Sequence, residues 1–346
     1  MKKKIVPLLI FLGIGIFFIW LSVKDLTPER IKKIQDSATG VLNLKSMIFI
    51  FISMACGVIA HYFRALRNIL LINQLGYSVR KTTAFYSVMV CYLSNLAIPR
   101  SGEVLRCSFL QRYDKVPFQK SLGTVVIDRA LDLLIFFALF ILIIFLNNGL
   151  ISELPKIEIN ENGDILAAWI SEKMAAVWAM KYYLLIAFFI GLTAILFILK
   201  KTKGKIKKIL LEIWQGLISI KNLQHPYLFV IYTIAIWVCY YLSGYFCFYA
   251  FDFLKNLGHM MPMAAFVVLV MGSIGFMIAQ GGLGAYPFIV AGILFVLYKV
   301  NFDDGIAAGW IGWTAQTIMV LVVGFTTLIL SSFLKVEDRA VKKETI

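Results

Sequence analysis

The residues able to do chemistry are concentrated in one stretch, 95–132, NLAIPRSGEVLRCSFLQRYDKVPFQKSLGTVVIDRALD, the densest set of charges set among apolar segments in this chain. It opens with Asn95 and breaks at Pro99. Gly102 lets the backbone turn, Glu103 falls where the first turn of a new helix favours a carboxylate, and Arg106 lies one turn further along the same face. Arg100, Arg106 and Arg112 can offer forked donors to a phosphate, or can be interfacial arginines that snorkel to the headgroups. Further on stand Asp128, Arg129 and Asp132. At about 100° per residue they project within an arc of roughly 100°, so all three can face one side of a helix. The uninterrupted apolar run that follows, 133–146, is only about 21 Å long, so the span must recruit these charges. Ions at that depth cost several kcal/mol without a partner or water. Two readings follow: an ion cluster that locks two helices, or a polar site inside a bundle.

A second irregular stretch, QGGLGAYP, interrupts an apolar run with Gln280, Gly281, Gly282 and Gly284. Glycines this dense let the backbone leave the helix, which is tolerated at depth only inside protein or against water. No G-x-x-x-x-G-K-[ST], H-E-x-x-H or G-x-S-x-G occurs, so neither ATP hydrolysis nor a hydrolytic site is expected and no catalytic residue is assigned. The five cysteines show no C-x-x-C spacing and His61, His225 and His259 are isolated. No disulfide framework, metal site or cofactor is expected.

The elements that must position these residues are membrane spans. With 346 residues, 60% of them hydrophobic and 15% charged, and a mean hydropathy of +0.84, the chain is too apolar for a soluble domain. The net charge of +15 lies mostly in short loops and at the ends, where the positive-inside bias puts it, and is not read as a nucleic-acid surface. The fold expected is an all-α polytopic integral membrane protein with about six full spans plus short or re-entrant broken helices. An uncleaved helix, 5–23, starts in the cytoplasm, and Pro28 after Thr27 starts a surface helix. The remaining spans are 46–63, 121–146, 182–199, 227–251 and 306–334. Between the first two of these, Arg64, Arg67, Arg80 and Lys81 suit either an interfacial helix or a basic loop. The basic block 200–208 is set to meet anionic inner-leaflet lipid or simply follows topology.

This divides the chain into 1–45, a first half 46–146 with a broken segment 82–117, a connector 147–225, a second half 226–334 with a broken segment 263–298, and a charged tail 335–346. The halves read span, broken segment, span, entered from opposite sides, with both termini cytoplasmic. Broken segments at matching places in inverted halves point to a transport site near the midplane.

P-R-S-G-E-V-L-R, then V-V-I-D-R-A-L-D-L, then Q-G-G-L-G together resemble the flippase-like family typified by the transmembrane region of lysylphosphatidylglycerol synthase, the multiple peptide resistance factor. The family's Pro, Gly-Glu and Arg fall on Pro99, Gly102, Glu103 and Arg106, and its Arg-x-x-Asp on Arg129 and Asp132. Where its second half usually follows Gly-Gly-Leu-Gly with a Glu, this chain has Tyr286 and Pro287. The resemblance implies movement of a polar lipid between leaflets of a bacterial cytoplasmic membrane: an aminoacylated phosphatidylglycerol, a glycolipid or a polyprenyl-linked carrier. The soluble lysyltransferase domain of the founding proteins is expected to be absent, and the chain is expected not to be an enzyme. An intramembrane enzyme or lysyltransferase-related component, and a non-transporting assembly partner, are the alternatives. A homo-oligomer is compatible with either.

Overall fold

The computed structural model describes residues 13, 15–20, 27–98, 100–146 and 223–336. Among these every regular element is helical. The expected span 182–199, the basic block 200–208 and most of the connector lie outside the described residues, as does Pro99.

Helix α1, Pro28–Thr39, starts where the Arg30 N–H donates to Thr27 Oγ1 and a proline occupies the first turn. Helix α2, Leu44–Gln74, is capped by Asn43, whose Oδ1 accepts from the Ser46 N–H. It runs for 31 residues without a break. The sequence pattern ends a span at Phe63 and begins a separate basic segment at Arg64; the helix instead carries both arginines inward, because carboxylates of another helix neutralise them there.

Helices α3, Lys81–Ala97, and α4, Ser101–Asp114, fold back on each other as a hairpin. Its open end is closed by Arg80, whose Nε donates to Asp114 Oδ1 at 2.8 Å and whose Nη2 donates to the Tyr113 carbonyl. At the tip, Ser94 and Ser101 share a hydrogen bond. At 17 and 14 residues, neither helix reaches the roughly 30 Å of a hydrocarbon core at about 1.5 Å per residue. Helix α5, Phe118–Leu146, completes the first half.

The second half begins with α6, Pro226–Phe248, which runs antiparallel to α2. Ser46 at one end of α2 donates to the Ala250 carbonyl, Ser53 meets Ser243, and Arg64 reaches Tyr240. The short α7, Asp252–Lys255, leads to α8, Met261–Ile278, then the glycine turn and α9, Ala285–Tyr298. Helix α10, Phe302–Ser331, closes the fold. Its start is held by α1, through Arg30 to Asp303 and Ser37 to Asp304. Beyond its other end, the Lys335 carbonyl accepts from Arg80 at the base of the first hairpin.

Helix α10 therefore spans from the base of one hairpin to the base of the other. Its first part lies along α9, with Gly305 against Ala291 and Gly309 against Pro287; its later part lies along α3, with Gly324 against Leu93. The α3–α4 and α8–α9 hairpins thus enter from opposite ends and meet tip to tip, where Gln280 Nε2 donates to the Leu96 carbonyl at 3.0 Å. Among the described residues four helical stretches are long and apolar enough to cross a membrane: Leu44–Gln74, Pro226–Phe248, Gly258–Ile278 and Phe302–Ser331. The third shows that one arm of the second hairpin, extended by a 3-10 turn, has the length of a span, whereas α9 with 14 residues does not.

Candidate functional site

The first tip is built by a side-chain turn. Asn95 Oδ1 accepts from the Gly102 N–H at 2.8 Å, which fixes the entry to α4. A Cβ on Gly102 would lie 2.1 Å from the Cys91 carbonyl oxygen, so the close approach of α3 and α4 requires glycine there. In the second tip Gly281, Gly282 and Gly284 all have positive φ, and the Trp313 indole N–H of α10 donates to the Gly281 carbonyl at 2.7 Å. Gly284 packs on the backbone of residues 15–20, where any side chain would strike Gly15 and Ile19.

Where the tips meet lies a cavity of about 460 Å³. Glu103 of α4 and Arg129 of α5 face each other across its wall, with Arg129 Nη2 donating to Glu103 Oε1 at 3.0 Å. Their side chains retain 39% and 25% exposure for Arg129 and Glu103, so a ligand can reach both. Asn95 Nδ2 lies 3.5 Å from each Glu103 oxygen, and the Arg129 guanidinium sits over the Tyr92 ring at 5.9 Å. Gly281 contributes backbone to the same wall.

Behind this wall is a second set of ions with no access to the cavity. Arg67 Nη2 pairs with Asp128 Oδ1 at 2.6 Å and with Asp132 Oδ1 at 2.7 Å, and Arg64 joins both aspartates. Arg67 and Asp128 are fully buried. Arg106 is buried as well, with its Nη1 3.7 Å from Asp128 Oδ2.

The arc predicted for Asp128, Arg129 and Asp132 is thus divided between two neighbours. Asp128 and Asp132, about 40° apart on α5, point at α2, whereas Arg129 points at α4. An ion cluster joining α2 and α5 lies on one side of the helix, and a cavity with polar lining lies on the other. It is Arg64 and Arg67, not the intervening Arg129, that hold the two aspartates. The three arginines at 100, 106 and 112 do not converge on a common phosphate: Arg100 is exposed at the tip in a left-handed conformation, Arg106 is enclosed beside Asp128, and Arg112 stacks on Tyr113 near the hairpin base. Gly282 is buried within its turn, and Gln280 joins the tips.

His61, Tyr92 and Tyr240, which no motif in the sequence marks, also line the cavity. The available signal was Arg64 and Arg67: two cations three residues apart on an apolar helix imply buried acid partners and a polar layer around them.

Fold and site together define an integral membrane protein in which two oppositely directed helical hairpins enclose a polar cavity. The chain belongs to the family of the lysylphosphatidylglycerol synthase transmembrane region, whose family model matches residues 5–329. Neither a curated protein nor a solved structure matches the chain at a significant level.

Proposed function

We propose that this protein carries a lipid with a polar, phosphate-bearing headgroup between membrane leaflets. One juxtaposition supports the reading: a reachable Glu103–Arg129 pair at the meeting of two inverted hairpins, beside an apolar groove. That groove, of about 810 Å³, lies between α5, α6 and α8, and Leu269 belongs to the walls of both spaces. An amphiphile fits this pairing, headgroup in the cavity and chains along the groove. Fixed ionic partners at depth replace part of the hydration that a charged headgroup loses in hydrocarbon.

The buried Arg64, Arg67, Asp128 and Asp132 set is assigned a different task, holding α2 against α5 so that the cavity wall keeps its shape. Movement is passive or ion-coupled, and the protein acts as a carrier rather than an enzyme, in a bacterial cytoplasmic membrane with both termini inside. Anionic inner-leaflet lipids meet the basic block 200–208.

Reconstitution into proteoliposomes with lipids labelled on an acyl chain tests the reading. Wild type accelerates exchange between leaflets, and Arg129→Ala and Glu103→Gln lower it by about tenfold or more at normal abundance. Unchanged exchange in both variants removes the site; loss of abundance alone assigns the pair to assembly.

A further inference from the structure

Among the described residues, the acidic and basic side chains lining the cavity, histidine apart, are Glu103 and Arg129, and they are each other's partner. This restricts what can bind. An anion that takes Arg129 leaves the Glu103 carboxylate beside it, a like charge in a confined space. A cation that takes Glu103 leaves Arg129 equally opposed. A headgroup carrying both signs replaces both partners at once, so that neither fixed charge is left without an opposite. From this geometry we infer that the cavity selects a zwitterionic phospholipid headgroup, one phosphodiester and one ammonium, by exchanging the Glu103–Arg129 ion pair for two ion pairs with the ligand. The inference rests on the lipid-carrier reading and deepens it.

A third side chain gives the pocket a direction. His61 lines the cavity and is buried, with its Nδ1 enclosed in protein, so that any contact of the ring with a ligand is made through its other edge. Its ring packs on Tyr92 at 4.2 Å, the same ring that carries the Arg129 guanidinium at 5.9 Å. His61 and Arg129 therefore share one aromatic neighbour, which places the imidazole close to the guanidinium that takes the phosphate. Glu103, already oriented by Asn95, faces the ammonium. Glu103 is the one carboxylate lining the cavity among the described residues, so the anionic pole is assigned to Arg129 and its neighbour His61.

The test uses the full-length protein in proteoliposomes and, separately, in detergent for native mass spectrometry. Three diacyl probes share one labelled acyl chain: phosphatidylethanolamine (zwitterionic), phosphatidylglycerol (anionic) and a trimethylammonium-propane lipid (cationic). Wild type binds and moves the zwitterionic probe about tenfold or more better than either of the others. Glu103→Gln shifts preference toward the anionic probe, and Arg129→Gln toward the cationic one. His61→Ala weakens the two phosphate-bearing probes and spares the cationic one.

Wild type that handles the anionic or cationic probe as well as the zwitterionic one overturns the inference without need of any variant. So do Glu103→Gln and Arg129→Gln proteins that lose all three probes in parallel. If none of the probes is moved but native mass spectrometry gives the zwitterionic order of binding, headgroup selection stands and the transport reading falls. Movement without zwitterionic preference sinks the inference and spares transport.

Discussion

The two hairpins are alike in outline and opposite in chemistry. The first, α3–α4, is held by polar groups: Arg80 to Asp114 at its base, Asn95 to the Gly102 amide at its tip, and Glu103 to Arg129 beside it. The second, α8–α9, is held by removal of side chains. Gly275 lets the backbone of Tyr286 come within 2.8 Å of where a Cβ would be, Gly272 accepts the Tyr286 ring, and α9 is apolar along nearly its whole length. One half brings the charges and the other brings a close-packed wall for them to face. Close packing of small residues is a general means of joining helices where the surroundings are as apolar as the interface. Ions at depth, by contrast, call for partners.

That contrast predicts different ways to break each half. Removing Arg67 takes a cation from the fully buried Asp128 and from Asp132 beside it, so Arg67→Ala is expected to cost about 3–5 kcal/mol. Thermal unfolding in detergent and folded yield measure it. In the second hairpin Gly275→Ala forces a methyl onto the Tyr286 backbone and is expected to cost about 1–3 kcal/mol on the same assay. Gly123 of α5 is the control: a Cβ there meets nothing within 4 Å, so Gly123→Ala in the helix interior is expected to raise stability by roughly 0.5–1 kcal/mol. Glu103→Gln has the smallest effect on stability, under about 1 kcal/mol, because its pair with Arg129 is partly exposed. Its signature is altered lipid handling at normal yield. A large loss of folded protein in Glu103→Gln would erase the distinction between lock and site.

Much of this arrangement is legible in the chain. The break between Ala97 and Ser101, the turn at Gly102 and the glycine cluster 281–284 mark both tips, because helix-breaking and helix-starting rules act over a few residues. The meeting of Glu103 with Arg129 is compatible with the spacing but does not follow from it, since 26 residues separate the two and the folding back of α4 onto α5 brings them together. The partners of Asp128 and Asp132 do not follow from the sequence for a related reason. Arg64 and Arg67 look like the end of a span when only neighbours in sequence are considered, and their carboxylates lie 61 to 68 residues away. His61 was passed over because an isolated histidine has no local pattern to distinguish it; packing on Tyr92 is what gives it a place in the cavity.

Composition alone therefore determined that the chain lives in a bilayer, and backbone chemistry alone marked the two hairpin tips, since both depend on transfer cost and steric rules that each short segment obeys by itself. Which of its ions are sealed into a lock and which face an open cavity was decided by tertiary structure. On a single helix, side chains one residue apart point about 100° away from each other. The identity of the helix standing in each direction, α2 for the aspartates and α4 for Arg129, is a property of the assembled bundle.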